Sequence, residues 1–476
     1  MSDRLRGPAR RICAALASVP VASWSALLGI LALGVRLPLI LGEHGVTPGG
    51  DSAGYLSAAT SIASGDGFGG DLYRTPGYPV MIVVLDALLP GGRVANVVIF
   101  QHALAAVLVA VIVVLAARWF GRPTALLAAS ILALSPALPY LEHAVLTDFL
   151  YAIVVFAFAA RLGHVFLRER PSLAALVSVG ALAAAATYLR PSGQALILAV
   201  IPMALYATRS VRATVRAGAI VIAVFALLVA PWIVRNWAQF DRPTMSVVTG
   251  DTLFVRAFEV DGLPIPTDRS SGQLAADLAA TRGEVRMVTA VTLGLQEAGL
   301  TRLQTLDAQQ SLAQDAILRH PFRYAVGTIE EIGKLRVDPR DANTGTDVGP
   351  HVPDPRALTQ AVWDASSALS FAWWTLSLGT FAGLLVFVAP RGETRVLGAA
   401  LVFTWLVLAL AIAAGRGALV RYGLELAPIA IVLGSYGAVS VGRAIGNLSA
   451  RARAPGSGRA RGAGRAGTAG GSERGF

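Results

Sequence analysis

Two carboxylates and four guanidinium groups stand where apolar runs of this chain give way to polar ones. Asp51 opens the helix-forming part of "GGDSAGY", and Asp148 lies in "YLEHAVLTDFLYA". A carboxylate so placed can serve as a general base, taking the proton of a hydroxyl as its oxygen attacks carbon. Asp is also a favoured helix N-cap, and both acids precede helix-forming runs, so a capping role stands beside the chemical one. Arg74 ("YRTPGYP"), Arg190 ("YLRPSG"), Arg235 ("PWIVRNW") and Arg421 ("LVRYGLE") fall at the ends of apolar segments. A guanidinium offers a planar fork of donors that never loses its charge, which suits phosphate. The competing reading is a cation that reaches for lipid headgroups beside aromatic rings, as Trp232 and Trp237 would allow for Arg235. Tyr55, Tyr78, Glu142 and His143 flank these groups and are the candidate substrate contacts. His143 reads better as a satisfied interfacial residue than as a metal ligand. The Gly-rich "GDGFGGD" is no nucleotide loop, since no strand precedes it and no GK[ST] follows.

The elements that must carry these groups are membrane helices. Of 476 residues, 55% are hydrophobic and only 14% charged, against about a quarter charged in a soluble domain. Cys13 is alone, which removes internal disulfides and CxxC sites. The net charge of +11 is carried by Arg on short loops and on the tail, a pattern of orientation in a bilayer and not of nucleic-acid binding. Runs of roughly 20 apolar residues predict spans at 20–42, 95–117, 123–140, 145–167, 172–189, 192–208, 214–234, 364–389, 395–414 and 421–441. The fold class is therefore all-α, an integral membrane protein of about ten helices.

Arg4, Arg6, Arg10 and Arg11 precede the first span, and Arg118, Arg122, Arg168, Arg170, Arg209, Arg212, Arg216, Arg391 and Arg395 mark every second connection. These connections should face the cytoplasm, with both termini inside and the N-terminus a retained signal anchor. The opposite face then carries two long loops. Residues 43–94 hold two helical candidates too short to cross, 52–64 and 77–89, which should lie in the interface. Residues 235–363 should form a small helical cap. From residue 442 the Gly-, Ala- and Arg-rich tail lacks apolar residues to bury and is expected to be disordered. The domain reading is 1–234, 235–363, 364–441 and the tail.

The acids and the four outward Arg residues thus share the extracytoplasmic face, where no nucleotide sugar is expected. An activated group there must arrive on a carrier that crosses bilayers, and a polyprenyl phosphate bearing a sugar meets that need. The order "GGDSAGY", "YRTPGYPVM", "ALSPALPYLEHAVLTDFLY", "LRPSG", "PWIVRNW" and "RYGLELAPIAIVL" resembles the GT-C membrane glycosyltransferases, glycosyltransferase family 39 above all, with its protein O-mannosyltransferases and lipid A aminoarabinose transferases. The resemblance is fullest over residues 1 to about 240.

It implies an inverting transfer from a polyprenyl-phosphate sugar to a hydroxyl of a cell-envelope polysaccharide, lipoglycan, lipid or protein. Asp51 matches the family's base, Asp148 its second acid, and Arg74 the cation that contacts the donor phosphate, with Arg235, Arg421 and Arg190 as further phosphate candidates. Family members often show Asp-Glu where this chain has Asp51-Ser52, so a divalent metal ion is an option and not a requirement. The composition suits a bacterial inner membrane. The reading from a different class is a multi-span transporter or flippase of a lipid-linked or small anionic substrate, which would place ionisable groups along a path inside the membrane. Arg36, His102 and Arg161 are the nearest to such positions.

Overall fold

The computed structural model describes residues 18–41, 51–68, 73–135, 137–168, 170–335, 382–417 and 420–453. Among these residues every regular element is helical. The bundle opens with α1 (Val21–Leu41), followed by the short α2 (Asp51–Ala63) and α3 (Gly77–Leu88) of the first polar loop. Then come α4 (Arg93–Phe120), α5 (Arg122–Leu134), α6 (Ala137–His143), α7 (Asp148–Val165), α8 (Leu173–Leu189), α9 (Leu196–Thr208) and α10 (Val211–Phe240). Six described segments are long and apolar enough to cross a membrane, and α1, α3, α5 and α8 are shorter apolar helices. The chain is a multi-pass membrane protein.

Proline accounts for the differences between expected and observed helices. The span expected at 123–140 is broken: α5 stops at Leu134 and Ser135 is extended, because the ring of Pro136 disfavours helical backbone in the residue before it. The span expected at 192–208 starts as a 3-10 turn, Pro191–Ala195, after an extended Arg190 (φ −148°, ψ 137°). The segment expected at 421–441 is divided into α17 (Val420–Glu425) and α18 (Ala427–Arg453), with Pro428 in the first turn of the second piece. Each break leaves a side chain of interest beside the break and not within a continuous helix.

The core of the bundle is one apolar cluster, including Ile82, Ile112, Leu132, Phe158, Val200 and Leu401. Helix α4 packs against α1 and α5, α8 against α7 and α10, and α16 (Gly392–Gly415) against α7 and α9. Residues 241–335 build a cap with a separate core around Phe254, Phe258, Val291, Leu295 and Leu312. Its elements are α11 (Thr249–Phe254), which runs into a π turn at Val255–Val260, then α12 (Ser270–Thr281), α13 (Met287–Glu297), α14 (Arg302–Arg319) and α15 (Pro321–Lys334). A capping box at Thr301 and Gln304 starts α14. The cap is pinned to α16 by the buried Arg256, which donates to the Ala413 carbonyl at 2.6 Å and pairs with Asp261.

Two expectations need correction or fall outside the described residues. Residues 442–453 are not irregular; they continue α18 to Arg453, since Ala, Arg and Leu are good helix formers. Residues 454–476 and most of the expected span at 364–389 lie outside the described residues, the latter visible only as a 3-10 turn at Gly383–Val388.

Candidate active site

Asp51 occupies the first turn of α2, where the positive end of the helix dipole favours a carboxylate. Its Oδ1 accepts a hydrogen bond from Arg74 Nη2 at 2.7 Å. Thr75 and Pro76 end the loop that delivers Arg74: Thr75 donates to the Leu189 carbonyl at 3.0 Å, tying the start of α3 to the end of α8. Gly54, one turn into α2, leaves room for the guanidinium, because a Cβ there would lie 2.9 Å from Arg74 Nε. The same guanidinium lies over the ring of Tyr55 at 4.5 Å, and Tyr55 meets Tyr78 edge to face at 5.1 Å. The Asp51 and Arg74 side chains are 28% and 20% exposed, so this pair is reachable from outside.

The second acid lies deeper. Thr147 holds the N-cap position of α7 and makes no side-chain cap bond, so Asp148 is not the cap that its spacing suggested. Its carboxylate faces Arg190 Nη1 at 2.9 Å, and the same nitrogen lies 2.7 Å from Glu425 Oε1. Arg190 also stacks near the rings of Tyr422 (4.8 Å) and Tyr151 (5.9 Å), and Ser192 donates to the Tyr151 hydroxyl at 3.1 Å. Asp148 and Glu425 are 2% and 1% exposed. The two clusters meet at Tyr55, whose hydroxyl is 3.4 Å from Thr147 Oγ1. Asp51, Tyr55, Arg74, Tyr78, Asp148 and Arg190 are therefore brought together from five segments of the chain.

Arg190, expected on sequence grounds as a phosphate ligand, has its guanidinium between two carboxylates in the structure. Glu142 and His143, expected as substrate contacts, are both buried. Glu142 is fully buried, taking both oxygens into a forked pair with Arg36 (2.5 and 2.7 Å) and accepting His102 Nδ1 at 2.8 Å. His143 Nδ1 lies 3.3 Å from His102 Nε2. These are core interactions, linked to the site through Gln101, which bonds the Glu142 carbonyl and the Tyr78 hydroxyl. Arg235 lies over Trp232 and Phe240 at 4.7 and 5.0 Å and donates to Asn236 at 2.8 Å. The side chain of Arg421 lies outside the described residues.

Several residues at the site carry no local signal in the sequence. Arg302, from the start of α14, stacks on Tyr73 at 4.5 Å beside Arg74. Arg416, at the end of α16, faces Asp251 of the cap at 3.5 Å. Burial, with Asp251 nearby, raises the Tyr73 hydroxyl above its ordinary value, while Arg302 and Arg74 pull it down. Tyr73 thus stays a hydrogen-bond donor at neutral pH. Burial also raises the Asp251 carboxyl, against the pull of Arg416 and Arg286. Only Glu425 had a usable signal: an acid inside a segment apolar enough to span is a functional candidate by default.

Chemically, the arrangement offers a reachable carboxylate paired with a guanidinium, further cations at the rim, and a buried acidic floor. A divalent ion is a poor fit. Asp148 and Glu425, the two carboxylates such an ion would bridge, are already bridged by Arg190. Among the described residues, no three His, Cys, Asp or Glu side chains group as a metal site requires.

No family model matches the chain, and no curated protein matches it either. Solved structures do. Over 91% of its length the chain is similar to ArnT from Cupriavidus metallidurans, with 17% identity, 81% of that chain covered and a TM-score of 0.38, both in the apo state and bound to undecaprenyl phosphate. Over 92% of its length it is similar to the archaeal oligosaccharyltransferase AglB from Archaeoglobus fulgidus, a structure in complex with an inhibitory peptide and a dolichol phosphate, with 13% identity and a TM-score of 0.48. The chain spans about half of AglB, 52% of its length.

Proposed function

We propose that this chain is a GT-C-type membrane glycosyltransferase that moves a sugar from a polyprenyl-phosphate donor to a hydroxyl of a cell-envelope acceptor. The reading places it in a bacterial inner membrane, both termini in the cytoplasm and the site outside. The observation that carries it is the reachable Asp51–Arg74 pair, on a loop whose sequence resembles the corresponding loop of family 39.

Asp51 takes the acceptor hydroxyl proton as that oxygen bonds to the anomeric carbon. The bond from that carbon to the phosphate oxygen breaks, the electron pair leaves with the polyprenyl phosphate, and the configuration inverts. Proton capture neutralises Asp51, so the charge of Arg74, until then balanced, becomes available as negative charge grows on the phosphate. Arg302 and Arg416 add cations from the cap and α16, the phosphate role expected of Arg190 on sequence grounds. Asp148, Arg190 and Glu425 form the floor that orients Tyr55 and Tyr78, and the cap limits competing water.

The test is transfer by purified protein from a radiolabelled polyprenyl-phosphate sugar. Asp51→Asn should reduce turnover about 10²- to 10⁴-fold with the fold retained; near-normal turnover would refute the assignment.

A transporter or flippase is the second reading. The observation in its favour is the buried Arg36–Glu142–His102 network, since ionisable groups inside a membrane often mark a path. Translocation of the label without a covalent product would select it.

A further inference from the structure

A groove of about 500 Å³ runs between α4, α7 and α16. Its walls are apolar, with Leu104, Val107, Leu108, Val111, Ile153 and Phe156 among them, and its far end is polar: Arg118, Arg161 and His164, with Glu393 the one acid. These polar groups share one end of the bundle. Helices α4 and α7 both begin near the acid–Arg site and finish at the groove's polar end, and α16 starts there. From Leu104 to Trp119 the groove follows about 22 Å of helix, the reach of one extended acyl chain of ordinary length. Arg161 is held in place by Ser178, whose oxygen accepts from its Nε at 2.7 Å. None of these residues takes part in the transfer chemistry described above.

We propose that this groove binds an anionic glycerophospholipid from the leaflet opposite the active site. One acyl chain lies along α4 and α7, and the phosphate sits among Arg118, Arg161 and His164. An apolar slot alone would take any lipid. The choice of an anionic one rests on charge complementarity: two guanidinium groups and an imidazole against one carboxylate at one end of the groove. Membrane-facing α4 supplies an open side, since Val107 and Val111 are exposed. A lipid seated there braces α7, the helix that carries Asp148 at its other end, against α16, which anchors the cap.

The test uses the full chain purified in detergent and returned to nanodiscs containing equal phosphatidylglycerol and phosphatidylcholine with 16- or 18-carbon chains. Lipid retained on re-extraction is then counted by native mass spectrometry. The wild type should keep phosphatidylglycerol at least several-fold over phosphatidylcholine. Arg118→Ala with Arg161→Ala should bring that preference close to equal retention. Val107→Trp, a substitution at an exposed wall position, should reduce retention of both lipids while leaving the fold intact. Equal retention of the two lipids by the wild type would overturn the proposal, as would an unchanged preference in the double variant. Retention of added polyprenyl phosphate in place of phosphatidylglycerol would also overturn it, by showing the groove to be a carrier site. A gain in phosphatidylglycerol on deleting residues 1–17 would overturn it too, by assigning the groove to that segment. Because Arg118, Arg161 and Val107 lie outside the site, loss of transfer in Asp51→Asn with lipid preference intact separates the two proposals.

Discussion

Two Arg–carboxylate clusters lie side by side in this protein and differ mainly in access. In the outer one, Asp51 pairs with Arg74, their side chains 28% and 20% exposed. In the inner one, Arg190 is shared by Asp148 and Glu425, whose side chains are 2% and 1% exposed. An exposed pair is worth about 0–1 kcal/mol, so its partners can separate and take part in chemistry. Breaking a buried pair costs about 3–5 kcal/mol, because a charge is left without compensation. The same residue types therefore serve exchange in one place and rigidity in the other.

The largest break in this comparison is Arg190→Met. It removes the cation that Asp148 and Glu425 share, and should lower stability by about 3–5 kcal/mol, read as a lower thermal midpoint and a poor yield of folded protein. Next is Asp51→Asn, whose loss of turnover should come with less than about 1 kcal/mol of destabilisation, measured by thermal unfolding of the same preparation. Gly54→Ala follows. Its Cβ must displace Arg74 Nε from 2.9 Å, at about 1–3 kcal/mol of local strain, and transfer should fall while the inner cluster is untouched. The smallest effect is expected of Arg74→Lys, which keeps the charge but loses the fork. It should weaken kcat/KM by about 1.5 kcal/mol, roughly tenfold, with wild-type stability.

The bundle was largely readable from apolar runs, because a membrane demands them: α1, α4, α7, α8 and α16 begin and end within a few residues of expectation. The two short helices of the first loop were also readable. What periodicity did not give is where prolines break helices inside apolar runs, as at Ser135 and Leu426. Those breaks place Glu142 in the core and Glu425 at the site. Asp51, Arg74 and Asp148 were legible because each stands at a boundary where composition changes. Arg302 and Arg416 were not, since only the docking of the cap on α16 brings them near Tyr73 and Asp251. The pairing of Arg190 was not legible, because its two carboxylate partners come from distant parts of the chain.

The coupling of proton capture to phosphate charge is tested most directly by a double-mutant cycle in single-turnover transfer, using wild type, Asp51→Asn, Arg74→Gln and the double variant. If Asp51 and Arg74 act as one unit, the double variant should be little worse than Asp51→Asn alone. Fully additive losses would contradict a shared step and separate the base from its guanidinium partner.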